Sequence, residues 1–459
     1  MFEIDFKKPI HVYFVGIGGI SMSGLAEILL SEGFRISGSD MKSSPLTEKL
    51  ASLGAAIYYG QTQSHITPDV DLVVYTAAIH EDNPEYIAMK TLGIPGLSRA
   101  QLLGQLMRNY KVSIAVSGTH GKTTTTSMVA EVLMASDTDP TLSIGGILKS
   151  IEGNIRIGKS PYFVTEACEY TNSFLSFFPN IGIILNVEED HMDFFKDIHE
   201  IIESFHKFAK LLPADGCLIL NNEIEHKDKI MEDLACPVVR YGFTPDCDYY
   251  ATDISYDELG RGAYTLIRKQ KTSCRVTLGV PGRHNISNSL AAFALSDLLH
   301  LPQENTLAAL KAFSGTNRRF EYKGQIGGIT IIDDYAHHPT EISATLTAAR
   351  NFPHKTLWCI FQPHTYTRTK AFLKEFALSL SAADKIILAP IYAARETDTL
   401  GISSVTLKEE IEKLGKECLH FDTFDEIENY LLQNSINGDL LITMGAGDIV
   451  KVGENLLGI

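Results

Sequence analysis

Residues 112–116, Val-Ser-Ile-Ala-Val, run straight into Ser117-Gly118-Thr119-His120-Gly121-Lys122-Thr123-Thr124 and then into a helical stretch. A strand, a glycine-rich turn and a helix in that order build a parallel α/β unit. In such a unit backbone N–H groups converge at a helix N-terminus, where a phosphate is held. Lys122 would neutralise β/γ oxygens there, and the Thr123 hydroxyl would ligate Mg2+. The spacing is a variant, because Val116 stands where the first glycine of G-x-x-x-x-G-K-[ST] belongs.

The rest of the chain repeats the same alternation. Short apolar strands at 11–15, 35–37 and 72–76 are separated by a helical stretch at 22–31, and a helix over 99–108 closes this first unit. The second unit continues through strands at 162–165, 181–187 and 217–220, an antiparallel insert around 249–278, and a helix over 287–300. A third unit places strands at 329–332, 356–361, 385–388 and 440–443 between helices starting near 339, 369, 406 and 425. The 459 residues suit three domains of roughly 150 residues each, expected here at 1–108, 109–316 and 317–459. The fold class read from this is α/β throughout. The first and third domains are Rossmann-like, and the middle one is a phosphate-loop sheet with a small antiparallel insert. No solenoid period is present.

Composition narrows the partners. Forty Lys and Arg against 56 Asp and Glu leave a formal charge of −16, which disfavours nucleic acid and acidic membrane surfaces. Seven cysteines without a Cys-x-x-Cys pair suggest neither a disulfide framework nor a thiolate zinc site, so a reducing, cytoplasmic compartment is expected. No apolar run approaches the ~18 residues of a membrane helix, and no signal peptide opens the chain, so export is not expected.

Further loops carry chemistry. Gly16-Ile17-Gly18-Gly19-Ile20-Ser21 follows the first strand, and Asp40 closes the next, nearly a dinucleotide fingerprint except that Ser21 replaces the third glycine. A tight turn without a nucleotide competes with that reading. Glu166 and the run Glu188-Glu189-Asp190-His191 end two strands and offer hard ligands to a magnesium ion, although each alone reads as a solvated loop. Ser287 is expected to cap the helix that follows Gly282-Arg283-His284-Asn285, leaving His284 or Asn285 for a ligand. In the third unit, Asp333-Asp334-Tyr335-Ala336-His337-His338-Pro339 and Phe361-Gln362-Pro363-His364-Thr365-Tyr366-Thr367-Arg368-Thr369 both lead from strand to helix. They suit ligand loops or ordinary helix starts. Arg318-Arg319 at the second boundary serves either as solvated linker charge or as a phosphate clamp.

Taken together, GIGGISMSGLA (16–26), SGTHGKTTTT (117–126), EACEY (166–170), NVEEDHMDFF (186–195), GRHNISNSLAA (282–292), NRRFE (317–321), DDYAHHPTE (333–341), FQPHTYTRT (361–369) and MGAGDI (444–449) resemble the Mur ligase family. The match runs in the family's order along nearly the whole chain. The resemblance implies an ATP- and Mg2+-dependent amide-forming ligase of peptidoglycan precursor synthesis, with UDP-N-acetylmuramate and L-alanine as substrates and a monomer or weak homodimer as its state. It makes the first glycine loop a UDP-sugar site, with Gly16, Gly18, Gly19, Ile20, Asp40 and Arg99. It assigns ATP to Gly118, Thr119, His120, Gly121, Lys122, Thr123, Thr124, His284, Asn285, Arg319 and Asp334. It places the metal on Thr123, Glu166 and His191, gives catalytic roles to Lys122, Glu166 and His191, and places the amino acid against His337 and Arg368. In many relatives a second arginine stands at position 365, which is Thr365 here, so a water or a base such as Lys370 is left to complete the carboxylate clamp.

Overall fold

The computed structural model describes residues 2–76, 78–269 and 271–459, so position 270 inside the expected insert lies outside them. The chain folds as three α/β domains, each built on its own sheet. In the first, β1 (His11–Val15), α1 (Ile20–Ser31), β2 (Arg35–Asp40), α2 (Pro45–Ser52), β3 (Ala56–Tyr59), β4 (Leu72–Tyr75), α3 (Pro84–Leu92), β5 (Gly96–Ser98) and α4 (Arg99–Met107) follow one another. Their strands are all parallel, in the order β3-β2-β1-β4-β5. The order reverses at β1, and the crevice at such a reversal is where open parallel sheets take ligands.

The second domain comprises β6 (Val112–Ser117), α5 (Lys122–Ala135), β7 (Thr141–Leu148), β8 (Gly153–Arg156), β9 (Tyr162–Ala167), β10 (Ile181–Ile184), α6 (Ile198–Ala209), β11 (Cys217–Asn221), α7 (Lys227–Met231), β12 (Val238–Gly242), β13 (Tyr249–Tyr256), β14 (Arg261–Arg268), β15 (Lys271–Pro281), α8 (Arg283–Leu298) and α9 (Gln303–Ala312). Its ten strands order as β15-β14-β13-β12-β11-β10-β6-β9-β7-β8. The middle of this sheet is parallel, while the β13–β15 meander and the β7–β8 pair are antiparallel. β6 and β10 are buried on both faces, as continuous apolar runs in a parallel sheet must be.

Two expectations need correction. The strand expected over 181–187 stops at Ile184, because the chain there leaves the ladder to form the loop that carries Asn186 to His191. The helix expected from Ser287 begins a turn earlier at Arg283, with Gly282 at its N-cap and no side-chain cap. Ser287 therefore lies inside α8, and His284 and Asn285 belong to its first turn. The third domain runs β16 (Glu321–Ile326), β17 (Ile329–Asp334), α10 (Pro339–Ala349), β18 (Leu357–Phe361), α11 (Tyr366–Ala371), α12 (Leu373–Leu380), β19 (Lys385–Leu388), α13 (Ser404–Lys413), β20 (Cys418–His420), α14 (Phe424–Asn434), β21 (Leu440–Met444) and α15 (Val450–Leu457). Its sheet order is β16-β17-β21-β18-β19-β20, parallel except for β16.

The apolar cores are unevenly shared. One cluster joins Val12 and Phe14 of β1, Leu25 and Leu29 of α1, and Leu102 and Leu106 of α4 to Phe163, Phe174, Phe205 and Phe208 of the second domain. A second cluster lies wholly within residues 114–313. The buried members of the two third-domain clusters all come from residue 331 onward.

Candidate active site

The site begins where β6 ends. Gly118 and Gly121 take φ of +144° and +82°, backbone that side chains avoid, and a Cβ on Gly118 would stand 2.9 Å from Leu185 Cβ. The turn they allow delivers the backbone to the N-terminus of α5. Asn186 holds it open, accepting from His120 N at 2.7 Å and donating to His120 O at 3.0 Å. Lys122 folds back over the loop, donating to Gly118 O and to Thr119 O. Its ammonium also pairs with Glu169 at 3.0 Å. Burial opposes its charge, but Glu169 outweighs burial and holds the lysine firmly protonated.

Around this cation the β9 and β10 loops bring acids together. Thr123 Oγ1 donates to Glu166 Oε2 at 3.1 Å, and Gly145 N donates to the other oxygen at 2.6 Å. Burial raises the Glu166 carboxyl above its usual range, with Gly145, Thr123 and Lys122 partly offsetting it. A half-buried carboxylate held up in this way, next to a hydroxyl at the edge of a phosphate loop, is a donor set that a hard divalent cation satisfies. Thr123 and Glu166 therefore fit the Mg2+ expected of them. His191, at φ +54°, stacks on Tyr170 with ring centroids 4.5 Å apart and points Nε2 at Glu169 Oε1, 3.8 Å away. Burial lowers its pKa and favours neutral imidazole, the form a metal needs.

His284 stands on the exposed side of the first turn of α8, its pKa pushed down to about 4 by desolvation from the groups around the ring, while Asn285 donates to Pro281 O at 2.7 Å. Asn288 lies between Asn285 and Gly121, tying α8 to the loop.

The third domain closes over this edge. Asp334 accepts from Ala336 N at 2.7 Å and Phe320 N at 2.8 Å, and burial lifts it to about 6 against the pull of Arg319. Arg319 lies over the Tyr335 ring and 4.0 Å from Glu341. Arg318 faces away from the loop, bound to Asp333 and to the carbonyls of Gly445 and Gly447. His337 is driven to about 3 by burial and sits edge-on to His364, which burial holds near 4. Arg368 joins them through His364 Nδ1 at 3.1 Å, but its main partner is Asp190, at 2.9 Å and 3.1 Å. Burial works against the Asp190 charge, yet Arg368 keeps that carboxyl well below the usual range. Thr365 caps α11 at φ +66°, its Oγ1 accepting from Arg368 N, while Lys370 reaches the carbonyl of Leu400.

In the first domain, Gly16 adopts φ +80° and Gly18 N donates to Asp40 Oδ2 at 2.8 Å, so Asp40 organises the loop that precedes α1. A Cβ on Gly18 would meet that oxygen at 2.7 Å. Gly19 occupies the N-cap position of α1, and Ile20 is exposed beside it. Arg99 donates to Ser21 Oγ at 3.0 Å. This cluster stands on its own sheet, apart from the group around Lys122.

Three contributors escaped the residue-by-residue reading, Glu169, Asn186 and Glu341, while Asp190, read there as a magnesium ligand, is instead paired with Arg368. Glu341 accepts from His337 N at 3.0 Å and meets His120 Nδ1 at 3.2 Å. Burial opposes its charge, but His337 and His120 hold its carboxyl well below the usual value. His120 responds in kind: desolvation disfavours its charge, yet Glu341 and Glu188 push it up to about 9. All three lie inside the quoted motifs, which is the one available signal.

Comparison with known proteins agrees with this architecture. Models of three Mur ligase regions match in order: "Mur ligase family, catalytic domain" at 11–111, "Mur ligase middle domain" at 116–296 and "Mur ligase, glutamate ligase domain" at 318–447. A UDP-N-acetylmuramate–L-alanine ligase of Lachnospira eligens is 59% identical over 458 residues, covering 100% of both chains, and one of Agathobacter rectalis is 57% identical over 457, again covering 100% of both. The solved UDP-N-acetylmuramate–alanine ligase of Thermotoga maritima superposes with a TM-score of 0.80 at 30% identity over 98% of each chain. A murein peptide ligase of Psychrobacter arcticus gives 0.70 at 27% identity, also over 98% of each. The chain belongs to the Mur ligase family.

Proposed function

We propose that the chain is an ATP-dependent ligase that joins L-alanine to the carboxylate of UDP-N-acetylmuramate in peptidoglycan precursor synthesis, releasing ADP and phosphate. The observation that carries this reading is that the phosphate loop and the loop after β10 meet the third domain, His120 contacting Glu341 and Asp190 pairing with Arg368. Full-length relatives of that activity support it. A carboxylate resists an amine because an oxide-like oxygen must leave, so it is first phosphorylated. The lactyl carboxylate takes the γ-phosphoryl group of ATP and ADP departs. The amine then attacks the acyl carbon, phosphate leaves with the electron pair of the broken C–O bond, and the amide forms with loss of a proton.

The protein's part is to position and neutralise. Lys122 lies over the phosphate loop as a fixed positive charge, with Arg319 of the third domain as a second, close enough to act on the Glu166 carboxyl. Mg2+, when bound at Thr123, Glu166 and His191, would neutralise phosphate oxygens. The imidazole of His337, kept neutral by burial, and the guanidinium of Arg368 line the place of the arriving amino acid. Gly16, Gly18, Gly19, Ile20, Asp40 and Arg99 take the UDP-sugar, and His284, Asn285 and Asp334 surround the nucleoside of ATP. The three domains are taken as 1–108, 109–316 and 317–459, in the cytoplasm.

The test is ATP-dependent phosphate release with UDP-N-acetylmuramate and Mg2+, comparing L-alanine, an L-alanine-led tripeptide and no amine. Release with L-alanine is expected. Release with the tripeptide alone would move the chain to the peptide-recycling activity, and no release in any arm would remove the ligase reading. Lys122→Ala should lower the rate on the order of 10³-fold while still folding, since a point charge on the transferring group is lost.

A further inference from the structure

The backbone of His120 belongs to the phosphate loop assigned to ATP, but its imidazole turns away toward the third domain, where Nδ1 meets Glu341. Its Nε2 is buried and has no hydrogen-bond partner among the described residues. That atom lies 3.6 Å from Glu188 Oε2, and the ring stands 4.6 Å from the ring of His338, which is itself 4% exposed. Ligand atoms of these three side chains all fall within 4.8 Å of one another.

The surroundings are those of metal-binding histidines. Each ring has its other nitrogen tied to an oxygen: His120 Nδ1 to the Glu341 carboxylate at 3.2 Å, and His338 Nε2 to the carbonyl of Glu189 at 3.0 Å. Such outer partners fix tautomer and ring orientation, and they raise ligand basicity. His338 Nδ1 accepts only a long contact, 3.4 Å, from Thr340 N, which a bound cation would displace. Glu188 is steered by Thr340 Oγ1, which donates to it at 2.6 Å.

We propose that His120 Nε2, Glu188 and His338 Nδ1 form a site for a borderline cation of the Zn2+ class, laid across the junction between the second and third domains. Two imidazoles and one carboxylate match that class, and they differ from the hard-oxygen set at Thr123 and Glu166. Zn–N distances near 2.0–2.1 Å put tetrahedral donors about 3.3–3.5 Å apart, so the cluster contracts by about 1 Å on loading. Glu188, whose side chain is 36% exposed, has the freedom to make that move. Because His338 comes from the third domain and the other two ligands from the second, the ion ties the domains together over the phosphate loop.

The test uses the full-length protein, treated with chelator and titrated with Co2+, whose tetrahedral complexes absorb visibly. A saturable band displaced by one equivalent of Zn2+ is expected. His338→Asn retains an acceptor for Thr340 N, and Glu188→Gln retains an oxygen for Thr340 Oγ1. Each should weaken Co2+ binding by at least roughly the 10–100-fold that outer-partner changes cost, with metal-free thermal unfolding unchanged. Thr123→Val and Glu166→Gln should leave the band as it is. Absence of a band in the native chain, or native affinity in both ligand variants, would overturn the proposal. Loss of the band in Glu166→Gln would also overturn it, by assigning the ion to the other cluster.

Discussion

The two junctions between the three domains are built from opposite materials. Between the first and second, apolar side chains from β1, α1 and α4 share one core with phenylalanines of the second domain. Backbones there approach so closely that a Cβ on Gly104 would stand 1.9 Å from Ser176 O, and one on Gly24 would stand 2.2 Å from Ile155 Cγ1. Between the second and third, the named contacts are polar: Arg368 with Asp190, His120 with Glu341, Thr340 with Glu188, and His338 with the carbonyl of Glu189. Apolar burial is lost in full when such faces part, whereas ions and hydroxyls recover water, so the first junction is fixed and the second can open.

The hardest test of this contrast is Gly104→Val. The clash is with backbone, which cannot swing aside, and overpacking of this kind costs upwards of ~3 kcal/mol. A large drop in the unfolding midpoint of the first two domains together, seen by denaturant titration, is expected. An unchanged midpoint would remove the claim of a shared core.

Arg368→Ala comes next, leaving the buried Asp190 carboxylate without its cation. Opening of the junction lets that carboxylate rehydrate, so we expect the closed state to lose roughly 2–3 kcal/mol, less than the full penalty of a broken buried pair. Small-angle scattering should show a larger radius of gyration with no change in unfolding of the first two domains. KM for L-alanine should rise more than KM for ATP.

A third effect comes from pH. The folded His120 pKa, about 9, lies above the ordinary value of 6.5, so its contribution to closure is complete below about 6.5 and is lost as pH rises through 9. With chelator present, roughly 2 kcal/mol of closure should disappear across that window, scaled down from the full shift because the carboxylates titrate with it. Hydrogen exchange at the start of α10 should quicken over that range, while α4 stays protected. Equal loosening at both places would break the comparison. The smallest expected effect is that of Thr340→Val, which removes one hydrogen bond to Glu188 worth about 1 kcal/mol and should raise the opening rate slightly.

Much of this was legible from the chain alone, for a physical reason. Strands such as β10 are buried on both faces and therefore apolar throughout, and the phosphate loop needs glycine at Gly118 and Gly121 whatever else changes. β3, whose tyrosines are exposed at a sheet edge, and the glycine-containing β7 lack that signature and went unread. The start of α8 was misplaced because Ser287 looks like a cap, although the helix begins on Gly282 without one. The ionic junction was hidden for a different reason. His120 and Glu341 are 221 residues apart and Arg368 and Asp190 are 178 apart, so no local pattern pairs them.

The shared core also decides where this chain can be dissected. A fragment cut near residue 108 would carry Leu102 and Leu106 as raw apolar surface and leave Phe163 and Phe174 equally bare on the remainder, so both pieces should aggregate. Cutting near residue 316 strips a face whose side-chain contacts are mainly charged and hydroxylated, with Ala348 against Gly282 as a small apolar exception. The smallest piece that keeps its native surroundings is therefore the first two domains as one body, with the third as a detachable companion.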